Sequence, residues 1–454
     1  PCATADATRV EQIEGIARFA AGPHTTYEVE CSAAGMVHRE SAVDSEGRPL
    51  YTQEVEIDYI LGSGRRGRSY LHRRDGFVFL SPISWYTQKQ VWDLAPDYEP
   101  EQHLRFERSA NDRCLQCHAG LVNYRDQPTT ALSQPYGEPA FLEAGIGCER
   151  CHGPGKAHVD WHTSAANRAS GANRPDPIVR IGKLAPNRRD AVCNQCHLTG
   201  EAQVLRYGRR HGDFRPGDRI GDIWTVFVSP GDSSDALAVC HVQQMHASRC
   251  FQASGGAVGC ISCHDPHALP DEEAKHEHYR DRCNACHQDR GCSLPPAEQN
   301  QEPARGSCIV CHMPPTPAKD VPHTTQTDHR VRKQPGNGTK MAGQTRDANT
   351  ATSASRPSDT WEIFDATESS LGAAEHDRAW GIMLAKQAES NRDGEAAARA
   401  LKLLEPVVSQ FPRDIDILDS LGIANVMQDR PREAVEHWLG VLTVEPNRRE
   451  IGRA

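Results

Sequence analysis

Residues 145–158 read GIGCERCHGPGKAH, and Cys148, Cys151 and His152 within it form a C-x-x-C-H unit. The unit recurs as Cys114, Cys117 and His118; Cys193, Cys196 and His197; Cys260, Cys263 and His264; Cys283, Cys286 and His287; and Cys308, Cys311 and His312. These six units use twelve of the 17 cysteines, and no C-x-x-C in the chain lacks its histidine. The spacing is that of covalent c-type haem attachment. Two thiols three positions apart each add across one vinyl group, and the next residue lies under the iron as its proximal ligand. Zinc ribbons, thioredoxin-like redox sites and disulfide frameworks use C-x-x-C without needing the histidine that follows. The reading is six covalently attached haem c groups.

The units lie within the 199 residues from Cys114 to His312, about 33 residues each. So few residues do not wrap each macrocycle separately. The haems are expected in near contact, forming the interior themselves. Composition agrees: of 454 residues 37% are hydrophobic and 6% aromatic, with a mean hydropathy of −0.64, a thin apolar supply for this length. A net charge of −10 argues against nucleic acid as a partner. No apolar run approaches the ~18 residues of a transmembrane helix. Haem attachment takes place outside the cytoplasm, so the expected location is the periplasm or the cell surface. No signal peptide precedes Pro1 and Cys2, which read as a processed start. Each ferric bis-His haem adds about one negative charge, and a holoprotein near roughly −16 favours basic partners or divalent cations.

Sixteen histidines lie outside the units and supply candidates for the opposite face of each iron. His158 follows a Gly-Pro-Gly turn that directs it toward a neighbouring haem. His267 stands in the similar CHDPH. His323 and His329 follow the last unit, and His241 and His246 flank Met245, where at least one imidazole is expected to ligate. His103, just ahead of the first unit, is a further candidate, as are His72 and His211. His276 and His278 sit in a charged run and are expected at the surface. Predominantly histidine ligation implies low potentials, with Met245 the one methionine able to raise one. Of Cys2, Cys31, Cys240, Cys250 and Cys292, the pairings Cys250–Cys292 and Cys2–Cys31 are candidate disulfides in an oxidising compartment, leaving one thiol over.

The organisation read from the sequence is multidomain. Residues 1–105 are a small β-rich domain: Val55, Ile57 and Tyr59 alternate as in a strand, and Asp75-Gly76 marks a hairpin turn. The G-x-G-x-x-G of Gly62, Gly64 and Gly67 is followed by a strand rather than a helix, so it reads as a turn, not a dinucleotide site. Residues 106–330 are the hexahaem domain, mostly irregular with short helices. Residues 331–360 are a polar linker. Residues 361–454 are helical and tetratricopeptide-like: a 34-residue offset superposes Leu384 on Leu418, Ala400 on Ala434, Leu404 on Trp438 and Pro412 on Pro446. Two such repeats fall short of the usual three, so this array is expected to pack on the haem domain, on a second copy or on further chain.

On GIGCERCHGPGKAH (145–158), CISCHDPH (260–267), the paired units from Cys283 to His312 and DVPHTTQTDHR (320–330), the haem region resembles the tetrahaem cytochrome c family that accepts electrons from hydroxylamine oxidoreductase. With its C-terminal repeats the whole chain resembles exported multihaem cytochromes c. The resemblance covers about half of the chain. It implies that His158, as the histidine of CHGPGxxH, ligates a haem other than its own. With six sites rather than four, the stacking order is not carried over.

The expected function is electron relay along closely spaced, mostly bis-His haems, without enzymatic turnover. The alternative is a multihaem oxidoreductase acting on a small nitrogen or sulfur compound at a five-coordinate haem. Nitrite reductases of that kind carry C-x-x-C-K at the active haem, and none occurs here. The expected partners are redox proteins, or copies of the chain itself in an extracellular filament, with protein contacts through the helical repeats.

Overall fold

The computed structural model describes residues 2–4, 11, 15–32, 35–124, 136–164, 175–229, 237–288, 292–301, 306–333, 360–365 and 371–445. Most of the expected linker, residues 334–359, lies outside them.

The N-terminal part comprises β1 (Cys2–Thr4), β2 (Ile16–Ala20), β3 (Thr25–Ser32), β4 (Gly35–Val43), β5 (Pro49–Glu56), β6 (Tyr59–Leu61), β7 (Gly67–Arg74), β8 (Phe77–Tyr86), β9 (Val91–Leu94) and β10 (Arg108–Ser109). One antiparallel sheet runs β2-β3-β4-β5, and a second runs β1-β6-β7-β8-β10 with β9 also paired to β8. Alternate residues of β3 and β4 are buried, as the two-residue period of a half-buried strand requires. Tyr27, Val29 and Met36 from the first sheet share one core with Ile60, Tyr70, Ile83 and Trp85 from the second. Asp75 and Gly76 turn β7 into β8 with φ of 53° and 77°, the left-handed pair a two-residue hairpin demands. Gly62 and Gly64 lie in the turn joining the antiparallel β6 and β7, so the glycine pattern is a hairpin connection.

The stretch around Val55, Ile57 and Tyr59 is two strands rather than one. The Ile57 amide donates to Met36 O at 2.9 Å, while the next amide, Asp58, donates to Leu71 O at 2.9 Å. The chain changes sheets at that bond. The alternation breaks there: Ile57 shares its core with Ile60, three positions on, whereas Tyr59 packs in a separate core with Leu71 and Phe141.

The six units sit on or end the helices Asp112–His118, Cys148–His152, Pro186–His197, Cys260–Cys263, Lys275–His287 and Cys308–His312. Two small sheets lie between them, β11 (Leu121–Tyr124) with β12 (Tyr136–Glu143) and β13 (Ala202–Leu205) with β14 (Trp224–Val228), and a third, β15 (Pro315–Pro317) with β16 (Thr325–Thr327), follows the last unit. The region is thus more ordered in strands than its Pro and Gly content indicated. Its apolar filling is thin. None of the helices at Cys148–His152, Cys260–Cys263, Lys275–His287 and Cys308–His312 buries a residue. Leu121, Leu142, Ile146, Val159 and Leu269 are exposed around them.

Further along the chain, β17 (Glu362–Ile363) adds to the edge of β14. Four helices follow, Ala373–Asn391, Gly394–Leu404, Ile415–Met427 and Pro431–Val444, stacked as two helical hairpins. Their core is continuous with Val204 of β13 and Phe227 of β14, and Phe227 meets Trp380 at 4.7 Å. Of the surfaces expected to cover this array, the haem region supplies one. The 34-residue offset does not hold. The second helices of the two hairpins start at Gly394 and Pro431, 37 positions apart, and the first helices differ in length, 19 residues against 13. Close helix contact is supplied by glycine: a Cβ on Gly422 would lie 2.3 Å from Trp438 Nε1, and one on Gly381 would lie 2.4 Å from Leu404.

The expected Cys250–Cys292 disulfide is absent, and both are free thiols. The Cys2 side chain lies outside the described residues, so its pairing with Cys31 is not addressed.

Candidate haem-attachment sites

The cysteines of different units meet. The Cys117 thiol lies beside Cys196, Cys193 beside Cys260, and Cys283 beside Cys308. Cys151 lies within electrostatic reach of Cys193 and Cys196, and Cys263 of Cys286. Arg150 of the second unit donates to Gln116 O in the first. The order of neighbours is therefore first, third, fourth, fifth and sixth, with the second unit beside the first and third. This order is not the order along the chain.

The imidazoles are oriented by backbone carbonyls. Nδ1 of His152 bonds Val179 O at 2.8 Å, Nδ1 of His312 bonds Arg332 O at 2.6 Å, and Nδ1 of His329 bonds Thr327 O at 2.8 Å. A carbonyl only accepts, so each ring carries its proton on Nδ1 and leaves the Nε2 lone pair for a metal.

Three proximal histidines face a second ring. His152 and His267 have centroids 5.9 Å apart and planes 11° apart. His264 and His329 are 6.2 Å apart, and His197 and His241 are 5.5 Å apart. With each nitrogen about 2 Å from a shared ion, two imidazole centroids lie about 6 Å apart. His241 also meets His329 at 4.8 Å, so these four rings make one cluster. Burial pushes His241 down to about 3 and His329 down to about 4, with neighbouring histidines adding to the effect. Both rings are held neutral, the form a metal ligand needs. His241 Nδ1 is buried with no protein hydrogen-bond partner. Neutral rings, oriented lone pairs and clustered thiols make a donor set that fits haem c.

The other candidates divide. His158 bonds Asp176 Oδ1 through Nδ1 at 2.6 Å, and His162 bonds Asp176 Oδ2 at 3.2 Å. His103 has both ring nitrogens engaged, Nε2 with Tyr27 Oη at 2.8 Å and Nδ1 accepting from the Arg105 amide at 2.9 Å, so neither is open to an iron. His323 spends Nε2 on Asp93 at 2.7 Å, which ties it to the β-rich part instead. His246 packs against Phe251 at 4.0 Å. His72 bonds Phe106 O, and His211 accepts from Trp224 Nε1. His276 is exposed as expected, but His278 has its Nε2 buried without a protein partner. Sequence reading missed Asp176 and the carbonyls of Val179 and Arg332. An aspartate leaves no spacing signature, and a carbonyl leaves none at all.

Comparison with known proteins adds an independent view. Residues 85–153 match the family model described as cytochrome c554 and c-prime. The match runs from β8 through the first two units. It thus begins inside the β-rich part, ahead of the boundary placed at residue 106. Multiheme cytochrome MtrA of Shewanella baltica (strain OS185) is 23% identical over 190 residues, covering 39% of this chain and 53% of that protein. Over these segments the chain is similar to c-type cytochromes, one of them multihaem. It spans about half the length of that curated relative. No solved structure matches. Among the described residues, no helix is long and apolar enough to cross a membrane.

Proposed function

We propose that this cytochrome carries six haem c groups, one at each C-x-x-C-H unit, and relays electrons along them in the periplasm or at the cell surface. His118, His152, His197, His264, His287 and His312 are the proximal ligands. His267, His241 and His329 are the distal ligands to the irons of His152, His197 and His264, and His158 serves a further iron.

The observation that carries this reading is the ring pairing. Each of these three proximal imidazoles faces a histidine from elsewhere in the chain at about the separation a shared iron requires. The haem, when bound, supplies a one-electron couple at each site. The chain's residues fix which nitrogen is offered, through the carbonyls of Val179, Thr327 and Arg332. They also bring together the thiols of the first and third, the third and fourth, and the fifth and sixth units. Two neutral imidazoles per iron keep the potential low.

The helical stack is built of paired helices, and its last helix exposes Val435, Leu439 and Leu442. It is the part suited to hold a redox protein or a second copy of the chain, as in a filament.

The test has two parts. A pyridine haemochrome assay on the native protein gives six haems per chain, and fewer breaks the reading. Electron paramagnetic resonance of the oxidised protein gives low-spin signals, and a stoichiometric high-spin ferric signal transfers support to the oxidoreductase reading.

A further inference from the structure

We propose that Asp176 is a positioning residue for His158, tuning the potential of the haem that His158 ligates. This rests on the reading above that His158 is a distal ligand. The Asp176 carboxylate is only 6% exposed.

Three groups hold that carboxylate in place. His158 Nδ1 lies 2.6 Å from Oδ1, His162 Nε2 lies 3.2 Å from Oδ2, and the Ile178 amide donates to Oδ1 at 3.2 Å. Arg180 approaches Oδ2 at 3.6 Å. His158 and His162 lie one turn apart on the helix Lys156–Thr163, so they present to the same side and can share one acid.

The same short segment also braces a proximal ligand. Val179 O receives the His152 Nδ1 proton at 2.8 Å, and the Val179 amide donates to His152 O at 3.2 Å. Residues 176–180 therefore orient two imidazoles at once, one by a carbonyl and one by a carboxylate. The two braces differ in strength. A carboxylate accepting from Nδ1–H makes a shorter, charge-assisted bond and raises the basicity of the ring more than a neutral carbonyl does. No described hydrogen bond reaches His158 Nε2, which leaves that nitrogen to be the ligand atom.

An alternative use of the same atoms is a non-haem metal ion held by His158, His162 and Asp176, whose donor atoms all lie within 4.8 Å of one another. Two ligands at about 2.0–2.2 Å on one tetrahedral ion sit roughly 3.3 Å apart. The 2.6 Å between Asp176 and His158 is instead that of a direct hydrogen bond.

A more basic imidazole favours ferric over ferrous iron, so Asp176 lowers the potential of one haem. Loss of such an outer partner costs about 10–100-fold in metal–ligand affinity. Falling on the ferric form, at about 59 mV per tenfold for one electron, this raises the potential by ~60–120 mV.

The test is spectroelectrochemical titration of the full-length holoprotein. Asp176→Asn is expected to keep six low-spin haems while one of the six potentials rises by that amount. Asp176→Glu, which keeps the charge, is expected to retain the wild-type profile. Six unchanged potentials in Asp176→Asn overturn the proposal, as does an equal rise in Asp176→Glu. His158→Ala separates the two levels of the argument. One haem is expected to turn high-spin, and six low-spin haems there overturn the ligand reading itself. Zinc retained by the dialysed wild type at one per chain and lost in His162→Ala overturns the proposal in favour of the metal ion.

Discussion

The rings of His264 and His329 stand 6.2 Å apart, and the Thr327 carbonyl 2.8 Å from His329 Nδ1 turns the other nitrogen of that ring free. The histidine of the fourth unit thus faces an imidazole from beyond the sixth. The segment that brings it there is a tight one. The His329 amide donates to Gln244 Oε1 at 2.9 Å, and Asp328, between two arginines, is almost fully buried.

Replacement of His329 by Ala is therefore expected to open one iron and only one. The oxidised protein keeps six haems by pyridine haemochrome and gains one high-spin ferric signal. A variant that stays wholly low-spin removes His329 from the ligand set.

Gly422 and Trp438 give a stability prediction. A Cβ at Gly422 would lie 2.3 Å from Trp438 Nε1, which donates to Asp419 Oδ1 at 3.1 Å. Gly422→Ala forces the helices apart or breaks that bond, and overpacking of this kind costs about 1–3 kcal/mol. Urea unfolding of the helical stack, followed by hydrogen exchange, is expected to show the loss, with the haem spectrum unchanged.

Arg378 is 2% exposed and reaches Asp414 at 2.5 Å, Glu375 at 3.2 Å and Leu205 O at 2.8 Å. It joins the stack to β13. Arg378→Met leaves Asp414 buried without its cation, a change worth about 3–5 kcal/mol. Limited proteolysis is expected to release the stack far faster in this variant than in the wild type.

Acidification acts on the N-terminal sheets through His38. Burial among apolar and aromatic neighbours pushes this imidazole down to about 3, with His72 adding a small effect. The unfolded chain binds a proton below about 6.5 that the folded form refuses until about 3, so stability falls as pH drops through that window. At pH 5 the loss is about 2 kcal/mol. Hydrogen exchange of the β3 and β4 amides at pH 7 and pH 5 is expected to show it, and His38→Gln is expected to flatten the slope.

The parts of this molecule that a sequence reveals are those with local causes. Asp75-Gly76 makes its hairpin wherever it occurs between two strands. Each attachment helix stops at the histidine of its unit or one residue before it, so the motif itself marks where the helix ends. The sheet change at Ile57 was hidden because alternation along the chain does not say which neighbour each amide chooses. The ligand pairs were hidden for the same reason: His267, His241 and His329 were legible as candidates, but their partners lie in other segments. His103 and His323 looked equivalent to them until Tyr27 and Asp93 claimed their nitrogens.

The two-residue strand β17 binds the helical stack to β14, whose partner β13 follows closely on the third attachment unit. On the proposed relay reading, a redox partner that grips the stack would hold its own redox group at a set distance from the haem of the third unit. Entry of an electron then depends on the geometry of a clasp rather than on the chance orientation of a collision.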